Sequence, residues 1–143
     1  MHVEQLLKDK GRDVVAVQPH RTLAEAIKTL SDRRIGAVVV MGADGALVGI
    51  LSERDIIRAL GAHGSAALNN AVSSVMTAKV VTCRPQTSVD ELMEIMTTGR
   101  FRHVPVVEDG RVSGIVSIGD VVKFRVAAIE AESQAMRDYI AMA

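Results

Sequence analysis

Aromatic side chains are nearly absent from this sequence, and their scarcity excludes some classes of protein. The 143 residues include one Tyr, two Phe and no Trp, too few for the stacking platforms of single-stranded nucleic-acid binders. Lys and Arg together number 17, as do Asp and Glu, so no net charge attracts nucleic acid or an anionic membrane. We therefore expect neither nucleic acid nor a membrane as a partner.

Cysteine and long apolar runs are also scarce. The single cysteine, Cys83, cannot form a disulfide within the chain, which is typical of a reducing compartment, and we interpret it as a buried strand residue. No apolar run approaches the roughly 20 residues of a membrane helix, and the first residues lack the apolar core of a signal peptide. The sequence predicts a cytoplasmic α/β protein with an aliphatic core.

What the sequence does contain is one pattern written twice. Residues 49–55 and 114–120 both read Gly, two apolar residues, Ser, two variable residues and Asp, and an apolar pair follows each. Pro85 stands 66 positions after Pro19, and the offset falls to 65 across a predicted hairpin loop, where a deletion is easily absorbed. We therefore predict a duplicated unit. The expected division is a first repeat with the N-terminal helix in 1–66, a second in 67–125 and a helical extension in 126–143.

Each unit is predicted to run strand, helix, strand, strand, helix. The expected strands are 14–17, 37–41 and 47–51 in the first unit, and 80–83, 104–107 and 112–116 in the second. Capping boxes are expected at Thr22-x-x-Glu25 and Ser88-x-x-Glu91, and hairpins at Asp44-Gly45 and Asp109-Gly110. Residues 61–79 are expected to form a linker with a short turn of helix.

Connection rules then predict how the units are arranged. A helix between the first two strands requires a parallel, right-handed crossover, and the third strand returns by a hairpin. Two such units would pack about a pseudo-two-fold axis and leave clefts between them. A short helix is expected within 1–13 and a long one at the C-terminus. The long helix carries an apolar stripe, for which a homodimer contact and packing within the monomer are both open: Val122, Val126, Ile129, Met136 and Ile140.

The repeated Ser-x-x-Asp has two chemical interpretations. At a helix N-terminus, the free N–H groups and the hydroxyls of Ser52 and Ser117 would suit an anion, while the carboxylates of Asp55 and Asp120 would suit the hydroxyls of a ribose. The same spacing is also an ordinary capping box, which needs no ligand. The residues alone leave both interpretations open.

The tandem unit resembles the cystathionine-β-synthase (CBS) domain pair, or Bateman module, over roughly residues 8 to 125. Further matching marks are Met76-Thr77 and the sequence His-Val-Pro-Val-Val at 103–107. The likeness is to small stand-alone bacterial proteins of this family. It implies clefts that bind adenosine compounds such as AMP, ADP, ATP, NAD or S-adenosylmethionine. It also implies that Asp55 and Asp120 hold a ribose, with Ser52 and Ser117 near the ribose and phosphate.

Other positions are expected to complete the clefts. Arg54 is a candidate phosphate contact in the neighbouring cleft, with a solvated surface charge as the alternative. Arg102 and His103 are candidate phosphate contacts in the second cleft; the alternatives are a solvated charge for Arg102 and a structural histidine for His103. By the family likeness, an adenine edge would meet the first strand of each unit, and apolar side chains would sandwich the base. These residues are Val14, Val15, Val80, Val81, Val38 and Pro105.

The expected function is a regulatory module that binds an adenine nucleotide and signals energy or redox state to a partner protein. The sequence shows no P-loop Lys and no nucleophile–base pattern, so we do not expect an enzyme or a catalytic cofactor. No metal site is predicted, because His2, His20 and His63 have no Cys or His at ligand spacing. The alternative function is a structural dimerisation module whose Ser-x-x-Asp elements are only helix caps.

Overall fold

In the computed structural model, which describes residues 1–142, helices and strands follow one another largely in the predicted order. The first part of the chain contains α1 (Val3–Lys10), β1 (Ala16–Val17), α2 (Leu23–Arg33), β2 (Ala37–Met41), β3 (Leu47–Ser52) and α3 (Glu53–His63). A 3-10 helix (Gly64–Asn69) precedes α4 (Val72–Val75), α5 (Val89–Gly99), β4 (His103–Glu108), β5 (Arg111–Ser117) and α6 (Ile118–Met142). The predicted mixed α/β fold is confirmed.

The first unit forms a three-stranded sheet. β1 pairs in parallel with β2, with α2 as the crossover, and β2 pairs antiparallel with β3. The hairpin between β2 and β3 turns at Gly45, whose φ is +79° and therefore favours glycine. The predicted strand at 14–17 is shorter than expected: Val14 and Val15 lie outside β1.

The second unit keeps the hairpin but largely loses its first strand. β4 and β5 pair antiparallel around Asp109 and Gly110, which both have positive φ, as the Asp-Gly signal predicted. The predicted strand at 80–83 is wrong: only Cys83 pairs, by a single parallel bridge with Val106. Val81 is 37% exposed, and Val80 and Val81 face a cleft instead of a core, so burial does not hold them against β4.

Two local predictions at helix ends have different outcomes. The capping box at the start of α2 is confirmed, with the Glu25 N–H donating to Thr22 Oγ1 at 3.2 Å and the Thr22 N–H donating to Glu25 Oε1 at 3.4 Å. At the start of α5 only one half forms, from the Glu91 N–H to Ser88 Oγ at 3.0 Å. The reciprocal bond is absent there, and the residues on either side of Ser88 form an antiparallel bridge with the N-terminus: the Val3 N–H donates to the Thr87 carbonyl and the Val89 N–H to the Met1 carbonyl.

The predicted linker begins later than expected. α3 continues through Gly61 and ends at His63, because a glycine inside a helix costs only about 1 kcal/mol relative to alanine. The short helix expected in the linker is α4.

Each repeat packs against the segment that precedes the other repeat in the sequence. α1 stands before the first unit in sequence, yet its residues Leu6 and Leu7 are buried in the core of the second unit. Conversely, Thr77 precedes the second unit but pairs with Ile50 of β3, through N–H···O bonds of 2.9 and 3.0 Å. Each unit is therefore completed by a piece that the sequence assigns to the other.

α6 extends well beyond the body of the second unit. Phe124 packs against the second core, but the predicted apolar stripe is not covered by the chain itself. Its five residues are between 48% and 68% exposed: Val122, Val126, Ile129, Met136 and Ile140. Of the two possibilities for this stripe, the structure does not show packing within the monomer. None of the helices within residues 1–142 is both long and apolar enough to cross a lipid bilayer.

Candidate functional site

The first Ser-x-x-Asp lies where β3 ends and α3 begins, and it forms a complete capping box. Ser52 Oγ accepts the Asp55 N–H at 3.3 Å, while Asp55 Oδ2 accepts the Ser52 N–H at 3.0 Å and the Ser52 hydroxyl at 3.1 Å. Asp55 is buried, with only 6% of the residue's surface exposed. The capping interpretation is therefore correct for this element.

The other carboxylate oxygen of Asp55 faces the linker between the units. Thr77 Oγ1 donates to Asp55 Oδ1 at 3.0 Å, and the Arg58 guanidinium lies 3.9 Å from the same oxygen. A carboxylate oxygen has about two lone-pair sites, so Oδ1 can accept one further donor. Oδ2 becomes available to a second donor if the Ser52 hydroxyl turns its proton away. Asp55 can thus receive two neighbouring hydroxyl groups.

A cavity of about 580 Å³ opens directly beside Asp55. This volume lies in the range of small-molecule sites. Its walls come from both units: β3 and α3 on one side, and the linker and the loop after α5 on the other. Cationic side chains outnumber acidic ones along these walls; the former are Arg54, Arg58, Lys79, Arg100 and Arg102, and the latter are Glu53 and Asp55.

Most of the predicted site residues meet in this one cavity. They are Ser52, Arg54, Asp55, Val80, Val81, Arg102 and His103. The sequence interpretation placed Arg102 and His103 in the cleft of the second motif, whereas here they share a cavity with the first. The reason is the close approach of the units at Gly36, where an added Cβ would lie 3.2 Å from His103 Cε1.

Two of these residues are fixed by their surroundings. Arg54 crosses the cleft and donates to the carbonyl oxygen of Arg100 at 3.2 Å. Burial lowers the pKa of His103, and the positive charge of Lys10 lowers it further, whereas Glu53 opposes both. His103 is therefore a neutral imidazole at pH 7, able to donate one hydrogen bond and accept another.

Sequence reasoning missed several residues that line the cavity. Thr77 was noticed only as part of a matching pair, and its bond to Asp55 spans 22 positions that no local pattern connects. Arg58 lies one helical turn after Asp55, so the i,i+3 spacing in α3 could have indicated it. Lys79, Arg100 and Phe101 are brought in by the packing of the two units.

The second Ser-x-x-Asp repeats the capping box, but its carboxylate also bonds to a lysine from α1. Asp120 Oδ2 accepts the Ser117 N–H at 2.8 Å and the Ser117 hydroxyl at 2.9 Å. The same oxygen also accepts a bond from Lys10 Nζ at 2.5 Å. Burial by itself raises the pKa of Asp120, but the bonds from Lys10 and Ser117 outweigh it, so the net pKa is lowered.

Of the residues proposed to meet or sandwich a base, Val80 and Val81 line the open cavity, whereas the other four do not: Val14, Val15, Val38 and Pro105. Val38 is completely buried in the first core and Pro105 is buried between its neighbours in β4, so neither side chain can touch a ligand there. Val14 and Val15 are half-buried, and the Val15 carbonyl already accepts the Val39 N–H at 3.3 Å. Within residues 1–142, no three His, Cys, Asp or Glu side chains are grouped as metal ligands would be.

Two related units, the second without a regular first strand, enclose a cation-rich cavity and define a small tandem-repeat protein. The chain belongs to the CBS domain family, whose model matches residues 6–62 and 72–127. The resemblance inferred from the sequence is thus confirmed.

Solved structures of this family superpose closely on the chain. A CBS-domain containing protein from Agrobacterium tumefaciens is 54% identical, with a TM-score of 0.86 over 87% of this chain and 99% of that one. The CBS domain pair of protein MJ0100, in complex with 5′-methylthioadenosine and S-adenosyl-L-methionine, is 26% identical, with a TM-score of 0.80 over 90% and 98%. A CBS domain protein from Pyrobaculum aerophilum, complexed with AMP, is 28% identical, with a TM-score of 0.75 over 84% and 89%.

Proposed function

We propose that the chain is a regulatory module that binds an adenine nucleotide in the cavity beside Asp55. The observation that carries the proposal is a buried carboxylate, with one oxygen still able to accept, at the wall of a 580 Å³ cavity rich in cations. The adenosine compounds bound by the two relatives above support it.

The cavity suggests how such a ligand would be oriented. Asp55 would accept the ribose hydroxyls, and Ser52 would lie beside the same sugar. The guanidinium groups of Arg54 and Arg102 would attract the phosphate, for which arginine offers paired donors. Val80 and Val81 line the same cavity, and their backbone groups, outside any strand, would be free to meet the adenine edge.

The excess of cations favours some adenosine compounds over others. Five Lys and Arg side chains against Glu53 and Asp55 favour an anionic ligand, such as AMP, ADP, ATP or NAD. S-adenosylmethionine carries a positive sulfonium group and should bind less well here. A preference for phosphate-bearing ligands would suit a sensor of energy or redox state.

We propose binding without catalysis. The Ser52 hydroxyl accepts a hydrogen bond from the Asp55 N–H and donates one to the Asp55 carboxylate. Because both hydrogen bonds belong to the helix cap, we do not propose this hydroxyl as a nucleophile. Any output would then pass through a partner protein that responds to the occupied module. A cytoplasmic location is compatible with the single buried thiol, Cys83, which fits a reducing compartment.

Thermal unfolding in the presence of candidate ligands tests this function. AMP, ADP, ATP, NAD and S-adenosylmethionine are compared with GMP as a control. A ligand at 100 times its dissociation constant should stabilise the fold by about 2.7 kcal/mol. We expect Asp55→Asn to abolish this shift, while Asp32→Asn, on the exposed face of α2, retains it. A folded protein that responds to none of the ligands would leave Ser52 and Asp55 as helix caps and favour the structural dimerisation module.

We also propose that α6 joins two copies of the chain. Its exposed stripe covers several helical turns, and Ile57 on α3, the counterpart of Val122 in the first unit, is 70% exposed as well. Equal numbers of basic and acidic residues mean that two copies do not repel each other through net charge.

Light scattering coupled to size exclusion measures this assembly directly. We expect the wild type to be a dimer and Val126→Lys with Ile129→Lys to be a folded monomer. Ala127→Lys with Ala131→Lys is the matched control, because it adds the same two charges at exposed positions about 100° or more around the helix from Val126 and Ile129. A wild-type monomer at micromolar concentration would refute the proposal.

A further inference from the structure

The two Asp residues of the repeated motif have unlike partners, although their capping boxes are the same. Asp55 receives a neutral hydroxyl from Thr77, whereas Asp120 receives the ammonium group of Lys10. We propose that Lys10 is a built-in competitor for Asp120, which keeps the second nucleotide site closed and makes the Asp55 site fill first. This inference rests on the proposed function and deepens it.

Lys10 binds at the place where a ribose would have to bind. Its Nζ lies 2.5 Å from Asp120 Oδ2 and 2.6 Å from the carbonyl oxygen of Ile115. The two side chains are only 31% and 25% exposed, so solvent screens the pair less than an ordinary surface ion pair. Together with the two bonds from Ser117, Lys10 fills Asp120 Oδ2, so a sugar hydroxyl could reach only the other oxygen, Oδ1, of a carboxylate whose charge the ammonium group already offsets.

The lysine is held in position by the helix that carries it. Lys10 is the last residue of α1, and Val3, Leu6 and Leu7 of the same helix are buried in the second core. Leu7 approaches β5 so closely that a Cβ at Gly114 would lie 2.7 Å from Leu7 Cδ2. A cation in the last turn also interacts favourably with the helix dipole. The packing of α1 therefore positions the ammonium group of Lys10 beside Asp120.

The first unit shows a similar packing contact, but its cation is more distant: the Arg58 guanidinium lies 3.9 Å from Asp55 Oδ1. Met76 contacts Gly49 as Leu7 contacts Gly114, although the repeat offset of 66 aligns Met76 with Lys10 and not with Leu7. In the first unit, however, the group that reaches the carboxylate is a hydroxyl, and Asp55 keeps one open position beside the cavity. The duplication thus produced one open site and one that its own N-terminal helix occupies.

Binding of a ribose to both oxygens of Asp120 requires Lys10 to leave the carboxylate. The ligand must break the ion pair before a hydroxyl can reach Oδ2, so its apparent affinity is reduced by the fraction of chains in which Lys10 has moved. Lys10 therefore determines the order in which the two sites fill.

Calorimetric titration with AMP tests the inference in a chain that keeps only the second site. In the Asp55→Asn background we expect Lys10→Met to lower the dissociation constant for AMP about five- to thirtyfold, the factor that corresponds to 1–2 kcal/mol. Methionine keeps the length of the side chain without the charge. Lys8→Met, which removes an exposed charge from the same helix, should leave the constant unchanged.

The same titration with Lys10→Met and Lys8→Met in a chain that keeps Asp55 distinguishes a failure of this inference from a failure of the proposed function. We expect one AMP per chain in the wild type and a second in Lys10→Met. Equal filling of two sites in the wild type, or no change on substitution, would overturn the inference while leaving the proposed function standing. Weaker binding by Lys10→Met would show that Lys10 assists the ligand. Absence of AMP binding in every variant would reject both.

Discussion

The Thr77 hydroxyl and the Asp55 carboxylate form a 3.0 Å hydrogen bond across the boundary between the two repeats. Asp55 belongs to α3 of the first unit, and Thr77 precedes the second. The bond therefore attaches the linker to the wall of the proposed binding cavity. It also supplies a hydrogen-bond donor to one carboxylate oxygen of Asp55, a residue that is only 6% exposed.

Thr77→Val should destabilise the fold, because it keeps the shape of the side chain but removes the donor. A buried acceptor left without its partner costs about 1–3 kcal/mol. Chemical denaturation measures the loss, and Thr77→Ser, which retains the hydroxyl, should recover most of it. Equal stability of the valine and serine variants would show that the bond contributes nothing.

Gly114→Ala should weaken the attachment of α1 to β5. The added methyl group would overlap the buried side chain of Leu7, and such overpacking costs about 1–3 kcal/mol. Gly61→Ala is the control: nothing lies within 4 Å of its added Cβ, and alanine is favoured over glycine inside a helix by about 1 kcal/mol. Denaturation midpoints should thus move in opposite directions. A stabilised Gly114→Ala would contradict the described packing of α1.

His103 should make the fold less stable in mild acid. Burial and the nearby cations Lys10 and Arg102 lower its pKa below the ordinary 6.5, against the opposing charges of Glu53 and Asp120. As the pH falls below 6.5, the unfolded chain gains a proton that the folded chain does not, so unfolding becomes easier until the lowered pKa is passed.

Melting temperatures recorded between pH 8 and pH 5 measure this effect of His103. The wild type should lose more stability over this range than His103→Gln, which does not titrate. Parallel curves for the two proteins would rule out a contribution from His103. The carboxylate of Asp120, whose pKa is also lowered, acts only at lower pH: its contribution is present above 3.8 and is lost below it.

Cys83 should resist thiol reagents in the folded protein. Burial, together with the nearby charge of Glu91, raises its pKa to about 11, so thiolate is scarce at neutral pH. Labelling with a disulfide reagent at pH 8 should be slow in buffer and fast in denaturant. Rapid labelling of the native protein would show that the segment around Cys83 opens readily.

Local signals in the sequence predicted local structure well. The capping box of Thr22, the turn at Asp109 and the two Ser-x-x-Asp caps each depend on residues within four positions of one another, and each forms. At Ser88 only the first half of the box forms, and the spacing of Ser88 and Glu91 gives no sign of this.

The parts of the site that the sequence did not predict are the long-range ones. Lys10 meets Asp120 across 110 positions, and the close approach of Gly36 to His103 joins two units. Neither contact leaves a periodicity or a spacing in the sequence. Val80 and Val81 have strong strand propensity, but the cavity replaces the core that a strand would need.

The exchange of leading segments between the repeats bears on how the molecule could have arisen. A single unit cut from this chain would lack the piece that covers its hairpin, since α1 covers β5 and Thr77 covers β3. One unit alone would complete itself by accepting that piece from a second copy, as the two units do here. An ancestor with one repeat would then have been an obligate pair of chains, and gene fusion would have joined partners that already depended on each other.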